Sequence, residues 1–174
     1  MTSTSSNIAE PIAHLAVAID LPQPYDRNPR RGNVEGIAES LRINGQYRPI
    51  VVNKRGNIIL AGNHTWRAAK ELGWSEIAVT WVDVDDDTAR RIVLVDNRAN
   101  DVAEYDDRLL AEILAEAAEA DNLVGTGYDP YDLDKLADSL RNDEPPGEFP
   151  EVDGDVATEH RCPQCGYEWS GKSK

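Results

Sequence analysis

The chain has 174 residues, 40% of them hydrophobic, and a net charge of −14 from 18 basic and 32 acidic side chains. That length suits one domain with a real core plus tails. The charge argues against a broad, sequence-blind grip on nucleic acid, and no apolar run is long enough to span a bilayer. The start, MTSTSSNIAEP, lacks the basic beginning and apolar middle of a secretory leader, so a cytoplasmic chain with no membrane partner is expected. The charge is unevenly spread. Between Gln23 and Arg67 the basic residues Arg27, Arg30, Arg31, Arg42, Arg48, Lys54, Arg55 and Arg67 outnumber Asp26, Glu35 and Glu39, whereas 143–159 holds seven acids and no base. The two cysteines, Cys162 and Cys165, are too close for a disulfide scaffold and point to metal or redox chemistry.

In chain order, residues 1–11 are Ser/Thr-rich and expected to be disordered. Leu15, Val17, Ile19 and Leu21 alternate with small or polar residues, the period of a half-buried strand. A loop with three prolines follows, PQPYDRNPRRGN. Asn33 then suits the N-cap of a helix over 34–44, whose stripe is Val34, Ile37, Ala38 and Leu41, with Gly45 as its C-cap. IVVN and IIL, separated by Lys54-Arg55-Gly56-Asn57, predict a hairpin. IAVTWVDV is a strand by its β-branched residues. Asp85, Asp86 and Asp87 read as the N-terminus of the next helix rather than as a metal site. Asp106 caps a further helix with the stripe Leu109, Leu110, Ile113, Leu114 and Ala117. Asp129-Pro130 opens a last helix, with Leu133, Leu136 and Leu140 inward. Residues 142–159 read as an acidic linker, and 160–174 as a separate small element.

The stretch from Ile58 to Gly73, IILAGNHTWRAAKELG, carries the strongest chemical signal. A strand runs through Ala61-Gly62 into a helix. Glycine there allows close approach of backbone to ligand, and a helix N-terminus offers unpaired N–H groups and a positive dipole end to an anion such as phosphate.

Four motifs in order resemble the ParB N-terminal domain, of the ParB/sulfiredoxin fold: Asn28-Pro29-Arg30; Glu39 to Gly45 followed by Pro49 to Val52; Ala61 to Gly73, similar to the family's G-x-x-R-x-x-A-A phosphate motif; and Asp96-Asn97-Arg98, similar to its later E-N motif. The resemblance covers about Ala16 to Asn100. It implies an α+β class with a small mixed sheet and packed helices over 12–100, followed by a helical extension over 101–141. It further implies a nucleotide site, for CTP with Mg²⁺ as in the ParB group or ATP as in sulfiredoxin and a free-serine kinase. Gly62, Asn63, His64, Thr65 and Arg67 would hold phosphates. Arg30 and Arg48 would lie near the base, ribose or phosphates. Asp96 would be the magnesium ligand, with Asn97 beside it.

The chain also departs from that pattern. Asn63-His64-Thr65 stands where many members carry a second arginine, and Asn63 stands where sulfiredoxin has its reactive cysteine. Asp96 is shorter than the usual Glu. The segment after Asn100 is too short and too acidic for the family's helix-turn-helix domain. It looks more like ParB-type proteins of phages and mobile elements, often labelled ParB-like nucleases. Cys162 to Tyr167 resembles one knuckle of a zinc ribbon. Cys162 and Cys165 are then zinc ligands with help from His160 or a second chain, or free thiols of a degenerate half-ribbon. The expected function is nucleotide binding in partition, regulation or DNA modification. The partners would be nucleotide, DNA or a DNA-modifying enzyme, and a second copy as a homodimer. A metal-dependent nuclease using Asp96 and a non-catalytic interaction module are the alternatives, and no catalytic residue is assigned.

Overall fold

The computed structural model describes residues 7–142 and 158–170. The chain divides into two compact units, Met1–Arg141 and Asn142–Lys174.

The first unit is built on a four-stranded mixed sheet in the order β1-β4-β2-β3, with β1 (Ala16–Ala18), β2 (Ile50–Asn53), β3 (Ile58–Ala61) and β4 (Glu76–Val82). β2 runs parallel to β4, and the other pairings are antiparallel. The period of two splits the strand residues between two cores. Ile50, Val52, Ile59, Ile77 and Val79 face α1 (Val34–Asn44) and α2 (Asn63–Glu71), where they meet Ala38, Leu41, Ala68 and Ala69. On the other side, Leu60 joins Ala89 and Val93 of α3 (Asp86–Asp101), with Val51, Ile58 and Val82 against them. α4 (Asp107–Glu119) and α5 (Pro130–Asn142) follow.

The helix starts lie where the caps put them. Asn33 accepts from the Gly36 N–H, Asp85 from Thr88 and Asp106 from Leu109. The Thr88 backbone N–H, and then its hydroxyl, hold the Asp85 carboxyl below its ordinary range. The acids at 85–87 therefore serve the helix terminus.

Three expectations change. β1 spans three residues only: a 3-10 helix with Pro11 in its first turn takes Glu10–Leu15, and a turn closed by the Leu21 N–H on the Ala18 carbonyl ends the strand at Ala18; proline favours the first turn of a helix and disfavours a ladder. The N-terminal disorder expected through residue 11 does not reach that far. Ile8 is buried and bridges to Gln46, while residues 1–6 lie outside the described residues. The stripe of α4 is only partly covered: Leu114 is buried, but Leu109 and Ile113 are exposed. The loop after α4 is anchored instead through Gly125, whose carbonyl accepts from Asn44 Nδ2 at 3.2 Å.

In the second unit β5 (His160–Arg161) pairs antiparallel with β6 (Glu168–Trp169), two residues in each strand. Of the acidic linker expected over 142–159, residues 143–157 lie outside the described residues. Among the described residues no helix is long and apolar enough to cross a membrane.

Candidate functional site

The site forms where β3 runs into α2. Gly62 is the N-cap of α2 at φ 91°, a left-handed conformation, and it offers no side-chain cap. A Cβ on Gly62 would stand 2.5 Å from Ile50 Cγ2. Glycine is thus required twice, by backbone conformation and by space. The first intrahelical bond runs from Trp66 N–H to the Gly62 carbonyl at 2.9 Å. The N–H groups of Asn63, His64 and Thr65 precede it and have no partner within the helix. α1, α3 and α4 are each closed by an Asn or Asp side chain, and α5 by Asp129 accepting from Asp132 N–H. α2 instead opens onto a cavity.

That cavity, of about 180 Å³, is lined by Asn28, Arg30, Arg48, Gly62, Asn63, His64, Thr65, Asp96 and Asn97, with Ile37, Leu60 and Ala61 at its walls. An adjoining recess of about 310 Å³ shares Arg48, Ala61, Gly62, Thr65 and Asp96 and extends along Pro49, Ile50, Val51 and Thr80. The fold therefore brings together Arg30, Arg48, Gly62, Asn63, His64, Thr65, Asp96 and Asn97, which span 68 positions of sequence, from 30 to 97. Arg67 does not join them. It lies past the first turn of α2, exposed, and lines neither recess.

Several of these side chains are occupied in building the site. Asn63 Oδ1 accepts from the Tyr25 N–H at 3.0 Å, and its amide donates to the Ile59 carbonyl. His64 Nε2 accepts from the Gly32 N–H at 2.9 Å, which places the ring proton on Nδ1. Gly32 lies so close to that ring that a Cβ would meet His64 Cγ at 2.7 Å. Asn97 Nδ2 donates to Asn28 Oδ1 at 3.2 Å, and Arg30 donates to the Asn97 carbonyl at 2.8 Å while pairing with Asp101 at 3.2 Å. The Asn28–Gly32 loop is thereby clipped to α3 on one side and to α2 on the other. Sequence reasoning missed Asn28 and Gly32 as site residues; the Asn-Pro-Arg-Arg-Gly run was their only signal.

Two cations, Arg30 and Arg48, and one carboxylate, Asp96, line the cavity. Arg30 is partly neutralised by Asp101, whereas Arg48 makes no salt bridge with a described residue. The arrangement suits a polyanion placed at the α2 terminus between the two guanidiniums. Among the described residues no group of three or more His, Cys, Asp or Glu converges on one point. An all-protein metal cage is therefore absent there. A lone carboxylate does fit Mg²⁺ when phosphate oxygens and water complete its octahedron.

The model of the ParB N-terminal domain matches residues 6–98. The chain belongs to the ParB N-terminal domain family. A nucleoid occlusion protein of Geobacillus kaustophilus is 30% identical over 95 residues, 51% of this chain and 33% of that protein. A probable chromosome-partitioning protein ParB of Campylobacter jejuni is 32% identical over 87 residues, 47% of this chain and 31% of that protein. The chain thus spans about a third of the length of these curated relatives. Among solved structures, a C-terminally truncated ParB of Caulobacter crescentus complexed with CTP-gamma-S shares the fold. It has a TM-score of 0.58 and 24% identity over 72% of this chain and 77% of that one. The matched segment of the ParB family contains every cavity-lining residue named above and ends at the Asp96-Asn97-Arg98 step.

Outside that segment, Cys162 and Cys165 lie at the tip of the β5–β6 hairpin with free thiols, the first partly covered and the second exposed. The backbone N–H of Cys165, then that of Gln164, hold the Cys162 thiol below its ordinary range. The His160 ring packs against Trp169, with 5.5 Å between centroids.

Proposed function

We propose that this ParB-family chain binds a nucleoside triphosphate, CTP in the first instance, in a DNA-related process such as partition, its regulation or DNA modification. The observation that carries this reading is the uncapped N-terminus of α2, open to a cavity into which the fold also brings Arg30 and Arg48. The phosphates would take the N–H groups of Asn63, His64 and Thr65 and the guanidinium of Arg48. Asp96 would supply the protein's ligand to a Mg²⁺ ion, whose role would be to neutralise phosphate charge. CTP is the first nucleotide to test because the Caulobacter ParB of like fold was solved with CTP-gamma-S. The DNA-related role rests on the names of the partitioning and nucleoid occlusion relatives. His64 would act through position, since its Nε2 is committed to Gly32.

A nuclease built on clustered metal ions would need several converging carboxylates, and Asp96 is the one acid among the residues lining the cavity. Binding therefore has the better support.

Titration calorimetry of the full chain with CTP, ATP and GTP, with and without Mg²⁺, tests the proposal. Binding of at least one triphosphate is expected. Arg48→Ala should weaken it at least tenfold, since a charge-assisted phosphate contact contributes about 1.5–3 kcal/mol. Arg67→Ala should change it less than threefold, which separates cavity geometry from the motif-based expectation. No heat and no thermal stabilisation with any of the three nucleotides would sink the reading. Equal losses for the two variants would show the phosphates seated elsewhere on α2.

A further inference from the structure

The second unit poses a folding problem. Its described residues, 158–170, form a hairpin with two residues in each strand and not one buried residue; only Cys162 and Trp169 are partly covered. A hairpin that short is marginal in water by itself, and small folds without a core are normally held by a disulfide or a metal. Both cysteines sit at the closed end of this hairpin. The Cys162 N–H donates to the Tyr167 carbonyl and the Gly166 N–H to the Cys162 carbonyl, with Gly166 at φ 76°. That turn closes residues 162–167 into one tight loop and sets both cysteines on it, three positions apart. Two cysteines at this Cys-x-x-Cys spacing on one turn match the ligand pair that structural zinc takes from a single knuckle.

Two thiolates fill half of the tetrahedron that structural Zn²⁺ takes. The other half has no source in the described part of the unit. His160 is turned onto Trp169, and no third His, Cys, Asp or Glu joins the two sulfurs. The sequence has no further cysteine.

We propose that the hairpin is half of a zinc site, completed when Cys162 and Cys165 of a second copy close a four-thiolate centre about a twofold axis. A self-complementary pairing of this kind closes as a dimer, and metal binding would supply the folding free energy that the hairpin's own burial does not. The inference is independent of the nucleotide proposal, because it concerns a different unit and different residues.

The test uses the full chain, reduced and without nucleotide. It is loaded with Zn²⁺ or with Co²⁺ as a spectroscopic probe, then examined by metal analysis and sedimentation. The expected result is one metal for every two chains and a dimer mass that returns to monomer with chelator. The cobalt form should show the charge-transfer bands of a tetrahedral thiolate site. Cys165→Ser should hold no metal and sediment as a monomer, with thermal unfolding of the first unit unchanged. Any of four results overturns the proposal: one metal per chain on a monomer, no uptake by the reduced parent, a dimer indifferent to chelator, or a Cys165→Ser chain that still loads and dimerises.

Discussion

Gly62→Ala should cost about 3 kcal/mol of stability and abolish anion binding together. The stability term has two parts. A residue with a Cβ pays roughly 1–2 kcal/mol to hold the left-handed conformation, and Gly62 sits at φ 91°. The added methyl would also stand 2.5 Å from Ile50 Cγ2 and 3.0 Å from Ile50 Cβ. Ile50 is 2% exposed and belongs to the core between the sheet and α1/α2, so it has little room to give. Overpacking of that kind typically costs about 1–3 kcal/mol. In a unit of this size the sum lowers the midpoint of thermal unfolding by roughly 10 °C. Binding suffers separately, because relief of the clash tilts the first turn of α2 and moves the N–H groups of residues 63–65. Gly73→Ala is the internal control. Gly73 has φ 74° but nothing within 4 Å of a built Cβ, so Gly73→Ala should lose only the conformational part and leave the parent's anion affinity unchanged. Equal midpoints for the two variants, measured by calorimetry, would show that the Ile50 contact does not constrain the turn.

What could be read from sequence divides by distance along the chain. Asn33, Asp85 and Asp106 act on residues three positions away, so helix starts were visible from the cap residue and the stripe behind it. The β2–β3 hairpin was equally local. Errors arose where a pattern had two physical solutions. The alternation from Leu15 to Leu21 fits a strand, yet Pro11 starts a 3-10 helix that consumes its first residue, Leu15. The α4 stripe has the right period, but period alone does not say that a neighbour will cover it, and Leu109 and Ile113 remain exposed.

The site divides in the same way. Gly62 was legible because a glycine at a strand-to-helix turn is a local signal. Arg30, Arg48, Asp96 and Asn97 entered only through resemblance to a family whose fold carries them to one place, and the cavity does gather them. Arg67 entered by the same route and ends outside, because one further turn of helix moves a side chain about 5 Å along the axis. Invisible altogether were the long-range bonds in which a side chain substitutes for backbone. Asn63 ties Tyr25 to the end of β3 across 38 positions. Asn53 Oδ1 and Nδ2 pair with the N–H and carbonyl of Val84 across 31. In sequence none of these bonds is visible, and only the partner's position reveals them.

Gln46 is the most consequential of these, and Gln46→Leu should destabilise the first unit by about 3 kcal/mol while keeping side-chain volume. Gln46 is 1% exposed. Its Oε1 accepts from the Ala78 N–H at 2.7 Å, and its Nε2 donates to the Ala78 carbonyl at 3.0 Å and the Arg48 carbonyl at 3.1 Å. The side-chain amide thus continues the β2–β4 ladder beyond Ile50, where the main chain has turned away. Its backbone meanwhile accepts from Ala9 and donates to Asn7, which fastens the N-terminal segment. Leucine would leave both polar groups of the fully buried Ala78 without partners, and each such orphan costs about 1–3 kcal/mol. Because Arg48 follows two residues later and its carbonyl is one of the three contacts, nucleotide affinity should fall as well, though less than in Arg48→Ala. Gln46→Glu sharpens the test through pH. A carboxylic acid can still donate to the Ala78 carbonyl, whereas a buried carboxylate cannot and is poorly solvated, so burial raises the folded-state pKa above the unfolded value of about 4.3. By linkage the Gln46→Glu chain should lie nearest the parent below that unfolded value and lose stability as pH rises through the folded one. Denaturant unfolding of parent, Gln46→Leu and Gln46→Glu across that range decides it. A Leu variant within about 0.5 kcal/mol of the parent, the scatter of ordinary surface substitutions, would mean that water or a shifted strand satisfies Ala78 without Gln46.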